Sequence, residues 1–398
     1  LYFKTGIIDP WFNLFIFLGL FHFILFVNDP HNKNLIFSAM FIGFGILTKG
    51  PVALLIFMLT VAGFFIVSQQ KPVIRAKQII MYAVVLFLSG GSWFIYLAAA
   101  GQSNIVIEFI LYQIRLFTTE DAGHGGPFYY HLIVLLIGCF PVSIFAIRAL
   151  PKNEMDTPFK KYFKRWMIIL FWTVLILFSI VKTKIIHYSS LCYFPLTFLG
   201  AYAVYKIMID ELTWKKWMTY LTVIIAFILG TALMSLQFID KYKTEIINTG
   251  IIKDKFAVEN LKAHVDWSGF EFLIGLFFLA GILFCVCVLR RRKLMVALSA
   301  MFVITLITIN ISLMVIAPKV EQYSQGAAIE FYKKMKGEPV FTYGFKSYAN
   351  YFYTEQAAKR MGYSYFVCKI YDEEKIMKEY PGIFELYRKN GFVFFEKR

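Results

Sequence analysis

Four short clusters of polar residues in an otherwise apolar chain contain side chains that could bind an anion or move a proton. Lysine and arginine suit a phosphate group, whereas histidine and carboxylates suit a divalent cation. A set of such groups at one membrane face would suit an anionic headgroup bound where helices meet water. The clusters are 8–10, 47–51, 115–127 and 182–188.

Each cluster also has a purely structural interpretation. Asp9 before Pro10 is typical of a helix N-cap with proline at the first helical position. Lys49 could extend to water from the turn that Gly50-Pro51 predicts, which is either a tight turn between helices or a helix broken at the interface. Lys182 and its neighbours could anchor a helix end, and the acidic loop could simply be solvated. These alternatives stay open for the separate clusters, but all four predict charge on one side of a membrane.

Long runs without charged residues must position these clusters. Hydrophobic residues make up 59% of the 398 residues and charged residues only 17%, whereas soluble domains carry about 25% charge. A helix of about 20 residues crosses the roughly 30 Å hydrocarbon core, so most of the runs can span it. The sequence therefore predicts an all-α polytopic membrane helix bundle with about ten transmembrane helices. The runs are 11–27, 35–47, 51–67, 78–99, 128–147, 166–181, 188–205, 217–236, 272–289 and 294–317.

The loops between the runs predict the orientation of the bundle. One alternate set holds 17 Lys and Arg residues against five acidic ones, and the other set holds ten of each. The positive-inside rule makes the first set cytoplasmic and the second external, and all four polar clusters fall on the external side. The net charge of +16 is then mainly an orientation signal, and it does not indicate nucleic acid. The cytoplasmic set is 28–34, 68–77, 148–165, 206–216 and 290–293.

Two further segments have a distinct pattern. Residues 103–118 have apolar residues at helical spacing but are too polar to span, so we expect an interfacial helix that roofs the polar clusters. From residue 318 the chain is dense in charge and contains strand-like runs, which predicts an external α/β domain over 318–398 after a transmembrane domain over 1–317. Four of the five cysteines lie in apolar runs, so a disulfide framework is not expected.

The order of the motifs resembles a known family. Asp9-Pro10 opening a helix, Leu-Thr-Lys-Gly at 47–50, Asp-Ala-Gly-His-Gly-Gly-Pro at 121–127 and Lys-Thr-Lys-Ile-Ile-His-Tyr at 182–188 occur in the order seen in dolichyl-phosphate-mannose protein mannosyltransferases and ArnT-like glycosyltransferases. The resemblance implies the GT-C fold and a membrane enzyme with an external, periplasmic active face in the bacterial inner membrane. It implies inverting transfer of a sugar from a polyprenyl-phosphate donor to a lipid, glycan or protein acceptor.

The resemblance also implies roles for individual residues. Asp9 matches an active-site aspartate and is expected to be catalytic, and His124 matches a histidine that helps bind a divalent metal, zinc in the ArnT-like branch. Cations beside the sugar–phosphate bond would stabilise the negative charge that develops as it breaks. The residues expected to hold the donor phosphate are Lys49, Arg115, Lys182, Lys184 and Tyr188.

The match to the family is incomplete. The family's first external loop, with an Asp-Glu pair and a Glu/Lys-Pro element, should precede residue 1 together with about three helices. The resemblance therefore implies a chain that lacks the N-terminal part, and an inactive fragment is one alternative. A transporter or flippase for an anionic polyprenyl lipid would also explain an external cationic face, although the paired halves typical of transporters are not visible. Neither the sugar nor the acceptor follows from the sequence.

Overall fold

The computed structural model describes residues 6–70, 74–119, 125–151, 156–291, 293–356 and 362–397. The chain forms two compact units, Leu1–Leu221 and Thr222–Arg398. The boundary predicted at 317/318 lies within the second unit, because the later membrane helices cluster with the C-terminal sheet.

The first unit is helical throughout its described residues. A π-helical turn, Phe87–Gly91, joins two of its helices, and a 3₁₀ helix, Ile186–Cys192, joins two others. The α-helices are α1 (Asp9–Asn28), α2 (Asn32–Lys49), α3 (Val52–Ser68), α4 (Ala76–Leu86), α5 (Ser92–Ala99), α6 (Ser103–Thr118), α7 (Tyr130–Gly138), α8 (Val142–Ala149), α9 (Pro158–Ile180) and α10 (Tyr193–Met208).

The helical hairpin of α1 and α2 positions the start of one helix beside the end of the other. A short turn at 29–31 joins them, and the two helices pack against each other, with Gly19 of α1 in close contact with Ile42 of α2. Gly50 ends α2 with a backbone φ of 89°, a conformation that glycine adopts without the cost a side chain would add. Pro51 then precedes α3. The tight turn predicted at Gly50-Pro51 is thus confirmed.

Each of the ten predicted apolar runs forms a helix or a pair of helices. Of the helices in the described residues, seven are long and apolar enough to cross a membrane. The other three runs differ for visible reasons: α2 has polar ends, α3 has 17 residues, and α7 and α8 form one pair bent by 111°. The protein is therefore a multi-pass membrane protein. The seven are Asp9–Asn28, Ala76–Ala99, Pro158–Ile180, Ile186–Met208, Lys216–Lys241, Phe272–Arg290 and Leu294–Lys334.

The second unit continues from α11 (Lys216–Lys241), which begins in the first unit, through helices to a small sheet. Its four strands have the order β1-β2-β4-β3, with β1 and β2 parallel and the other pairs antiparallel. Its elements are α12 (Lys243–Asn248), α13 (Lys255–Leu261), α14 (Phe272–Arg290), α15 (Leu294–Val315), α16 (Ala317–Lys334), β1 (Val340–Tyr343), α17 (Ala349–Thr354), β2 (Tyr365–Lys369), α18 (Glu373–Glu379), β3 (Ile383–Lys389) and β4 (Phe392–Lys397).

Helices cover both faces of the sheet. Phe331 and Tyr332 of α16 pack with Phe394 on one face, and Ile376 of α18 packs with Phe395 on the other. Successive side chains of a strand point to opposite faces, so the adjacent Phe394 and Phe395 serve two separate cores. The small α/β domain predicted from the strand-like runs is therefore present.

A buried carboxylate, Glu271, fixes the loop before α14. Its oxygens accept hydrogen bonds from the backbone amides of Ser268 and Gly269, and the Lys319 ammonium lies 2.9 Å from Oε1. Burial alone would raise the pKa of Glu271, but the Ser268 amide and Lys319 outweigh it and lower the pKa to about 2. The carboxylate therefore stays charged at neutral pH and stabilises this loop.

Candidate active site

An ion pair joins the first residue of α1 to the last residue of α2. The Lys49 ammonium lies 2.6 Å from Oδ1 of Asp9. The residue preceding the helix is Ile8, so Asp9 is the first helical residue and not its N-cap. The Asp9 side chain is only 8% exposed and that of Lys49 is 26% exposed. The sequence identified both residues, and the structure brings them together with the lysine as the more accessible partner.

The 3₁₀ helix after α9 contributes two aromatic side chains to the same site. The His187 Nε2 atom lies 3.8 Å from Oδ2 of Asp9. The Lys49 ammonium lies 4.8 Å from the centre of the Tyr188 ring, a distance typical of a cation–π contact. Tyr188 is therefore placed beside Lys49, as the sequence predicted for a shared site. His187 was not assigned a role there, although it belongs to the same polar cluster.

A chain of hydrogen bonds holds the 3₁₀ helix against α1. The Asn13 amide donates to Oγ of Ser190 at 2.8 Å, and the Ser190 hydroxyl donates to the backbone carbonyl of His187 at 2.5 Å. Asn13 is buried and lies one turn after Asp9, on the same face of α1. Asn13 was not predicted as a site residue, although its spacing of four residues from Asp9 is the signal that could have found it.

A cavity of about 290 Å³ opens beside the ion pair. Its polar end contains Asp9, Lys49 and Tyr188, and its wall is mostly apolar. A few polar groups beside a large apolar surface are typical of a site for an amphipathic molecule. The remaining lining residues are Phe12, Asn13, Pro51, Val52, Leu55, Gln113, Ile114, Leu177, Phe178 and Val181.

The α6 helix closes one side of this cavity. It spans 103–118, the range predicted for the interfacial helix, and contributes Gln113 and Ile114 to the lining. The ring of Phe109 packs so closely on Gly50 that a Cβ atom there would lie 2.7 Å from it. The turn after Lys49 is thus in contact with the helix that roofs the cavity. The predicted roof over the polar cluster is confirmed.

The two lysines of the 182–184 segment have different environments. The Lys184 ammonium donates to the carbonyls of Phe178, Ser179 and Val181 at 2.6–3.0 Å, at the C-terminal end of α9. A cation is favourable there because the last carbonyls of a helix lack partners within the helix. Burial lowers the pKa of Lys184. Lys182 is exposed and lines a second, more open cavity of about 380 Å³ with Thr118 and Thr119.

Arg115 and His124 complete the predicted residues. Arg115 is exposed on α6, and its guanidinium lies 5.1 Å from the centre of the Tyr112 ring. The structure therefore places it one residue beyond the cavity-lining Ile114, with its charge over a neighbour on its own helix. His124 lies outside the described residues. Its predicted role as a metal ligand stays a prediction.

The described part of the chain contains no complete set of side-chain ligands for a divalent metal. No group of three His, Cys, Asp or Glu side chains there could hold a metal ion. Asp9 and His187 supply two such side chains, fewer than the three protein ligands typical of a catalytic zinc site. The zinc expectation therefore depends on residues beyond those described.

Comparisons with known proteins agree with this architecture. Residues 2–96 match a family model described as dolichyl-phosphate-mannose-protein mannosyltransferase. Over 207 residues the chain is 25% identical to undecaprenyl phosphate-alpha-4-amino-4-deoxy-L-arabinose arabinosyl transferase 1 of Proteus mirabilis, covering 50% of this chain and 36% of that protein. A transferase of the same name from Yersinia enterocolitica is 28% identical over 213 residues, with the same coverage. The matched region thus spans about a third of the length of these relatives.

The fold is similar to a solved structure over nearly the whole chain. The crystal structure of ArnT from Cupriavidus metallidurans bound to undecaprenyl phosphate has a TM-score of 0.63, with 98% of this chain and 73% of that chain covered at 12% sequence identity. The resemblance inferred from the four motifs is confirmed. About half of the chain is similar in sequence to these arabinosyl transferases, and nearly all of it has the GT-C fold seen in ArnT.

Proposed function

We propose that this chain forms part of a membrane glycosyltransferase that takes a sugar from a polyprenyl-phosphate donor and transfers it, with inversion, to a lipid, glycan or protein acceptor. The observation that carries the proposal is the cavity in which the Asp9–Lys49 pair adjoins an apolar wall. A polyprenyl phosphate has the same two parts, an anionic headgroup and a hydrocarbon chain. The similarity to arabinosyl transferases named for undecaprenyl phosphate donors supports this substrate class.

Lys49 is the residue best placed to bind the donor phosphate. Its ammonium is more exposed than the Asp9 carboxylate, lines the cavity and lies over the Tyr188 ring. When an acceptor oxygen attacks the anomeric carbon, the bond from that carbon to the phosphate oxygen breaks and the phosphate gains negative charge. A fixed cation beside it stabilises this charge as it develops. Asp9 holds the Lys49 ammonium in place. Its catalytic role, which the resemblance implies, is part of what we propose.

The other predicted cations do not line the Asp9–Lys49 cavity, namely Lys182, Lys184 and Arg115. Lys182 lines the neighbouring open cavity, where it is placed to meet a second anionic group of donor or acceptor. Lys184 holds the end of α9, which carries the cavity residues Leu177 and Phe178. We propose that Lys184 supports the site through this helix end.

The orientation of the protein completes the proposal. The positive-inside rule supports an external position for the Asp9–Lys49 cavity and the C-terminal domain, and the similarity to bacterial transferases supports the bacterial inner membrane as the location. A polyprenyl-phosphate sugar would then be consumed on the periplasmic face.

A transfer assay with radiolabelled polyprenyl-phosphate sugars, in membranes containing the full-length protein, tests this function. Label should move to a membrane or envelope acceptor, and Lys49→Met should lower the rate by at least tenfold. Ile114→Trp should block the cavity and lower transfer, whereas Ile105→Trp, an exposed position half a turn away in angle on α6, should not. Label that crosses proteoliposome membranes without transfer to an acceptor would favour the flippase alternative and contradict the proposal.

A further inference from the structure

The Asp9 carboxylate has a nitrogen-bearing side chain beside each of its oxygens. Lys49 lies 2.6 Å from Oδ1 and His187 lies 3.8 Å from Oδ2. The carboxylate is the most buried of the three, since the side chains of Lys49 and His187 are 26% and 34% exposed. Lys49 lines the cavity, and the partly exposed side chains of Lys49 and His187 have more room to move than the buried Asp9 carboxylate at the start of α1.

Binding of an anion to Lys49 would leave the Asp9 carboxylate without its ion-pair partner. A phosphate in the cavity competes with the carboxylate for the same ammonium protons. A buried charge that loses its partner is strongly destabilising, because it keeps its desolvation cost without the compensating attraction. A site that uses Lys49 for substrate needs a second group to pair with Asp9 while the lysine is engaged.

We propose that His187 is a positioning residue that hydrogen-bonds to the Asp9 carboxylate when Lys49 binds the donor phosphate. This inference rests on the proposed function, since it assumes an anionic ligand at Lys49. A movement of about 1 Å would bring Nε2 from its present distance to a charge-assisted hydrogen bond with Oδ2. The Asp9 carboxylate would then exchange the Lys49 ammonium for an N–H of the His187 imidazole, and it would keep a hydrogen-bond partner throughout.

The surroundings of His187 favour a small movement of the ring and a fixed backbone. Its carbonyl accepts from the Ser190 hydroxyl, which in turn accepts from Asn13 of α1. The imidazole packs edge-on against the Tyr188 ring, with the centroids 5.4 Å apart and an interplanar angle of 83°. The side chain therefore turns about a backbone that is tied to the helix carrying Asp9.

A double-mutant cycle distinguishes this role from a merely structural one. The probe is a short-chain polyprenyl monophosphate, and its affinity for the purified full-length protein is measured in detergent. We expect His187→Ala to weaken binding about tenfold, or about 1.4 kcal/mol. In an Asp9→Asn background, where no buried charge needs a second partner, the same change should have little effect. His187→Gln, which keeps an N–H donor, should recover part of the affinity.

The control is His31→Ala. His31 pairs with Asp29 at 3.1 Å, but both side chains are about 70% exposed, so probe binding should not change. Variants are compared only after thermal unfolding shows that they fold, and His187→Leu, which also lacks an N–H donor, replaces His187→Ala if the latter does not fold.

The outcomes separate this inference from the proposed function. Equal loss from His187→Ala in both backgrounds, or no loss in either, would overturn the exchange of partners at Asp9 without rejecting the proposed phosphate site. Failure of the wild-type protein to bind the probe, or undiminished binding by Lys49→Met, would instead reject the proposed donor site.

Discussion

The Asp9–Lys49 pair predicts that removing either partner has an unequal effect on stability. At 2.6 Å and an effective dielectric constant of about 20, two unit charges attract each other by about 6 kcal/mol. Desolvation offsets much of this, and removing one partner of a buried pair costs about 3–5 kcal/mol. Because Asp9 is the more buried group, we expect Lys49→Met to cost about 3 kcal/mol in the free energy of unfolding.

The opposite substitution should be milder. In Asp9→Asn the lysine can extend its ammonium to water along its flexible side chain, so we expect a cost of about 1 kcal/mol. The double variant should be more stable than Lys49→Met alone, because it contains no unpaired buried carboxylate. Thermal unfolding in detergent measures this order. For a unit of this size, 1 kcal/mol corresponds to about 2–4 °C, so Lys49→Met should lower Tm by roughly 6–12 °C.

Asp29→Asn is the matched control for this series. It removes the His31–Asp29 contact at 3.1 Å, whose side chains are mostly exposed, so stability should change by less than about 0.5 kcal/mol. A double variant no more stable than Lys49→Met would contradict this prediction, because the unpaired carboxylate would then not be the source of the lost stability.

Three further predictions follow from other parts of the molecule. Glu271, with a pKa of about 2 against an ordinary 4.5, stabilises the fold above pH 4.5 and loses this effect as the pH falls towards 2, so acidification from pH 7 to pH 3 should cost wild type about 2 kcal/mol more than Glu271→Gln. Gly50→Ala should lower Tm through its backbone φ and its clash with Phe109, and Phe109→Ala in the same chain should restore part of the loss. In a background without the native cysteines, a membrane-impermeant thiol reagent should label Tyr348→Cys from the periplasm and Lys215→Cys only after lysis, and the reverse pattern would invert the proposed orientation.

The helices could be predicted from the sequence because the bilayer imposes a simple rule on composition. Every apolar run became helical, and the amphipathic stretch 103–118 became α6. The bend of 111° between α7 and α8 was missed, since their shared run 128–147 contains no charged residue. Pro141 was the available signal, because proline removes a backbone donor and interrupts a helix.

The site could be predicted only in part, because residue type does not determine which partner a side chain meets. Asp9 and Lys49 were recognised separately, but their contact depends on how the α1–α2 hairpin brings together residues 40 positions apart. His187 was not assigned a role because it is far from Asp9 in the sequence, and only the fold brings the two side chains together. The motifs thus identified residues of the site, whereas the contacts between these residues are visible only in the folded structure.

The three lysines of the external clusters show why a count of cations overstates a binding site. Lys184 is a cation whose ammonium already serves three carbonyls, so a ligand could use it only by breaking the end of α9. Lys182 is exposed, where water and salt screen its charge. Lys49 lies between these extremes, since it is partly buried beside an apolar wall and held by one exchangeable carboxylate. A charged side chain binds a ligand best when it is partly desolvated and its hydrogen-bonding capacity is not already used. Among these three lysines only Lys49 meets both conditions.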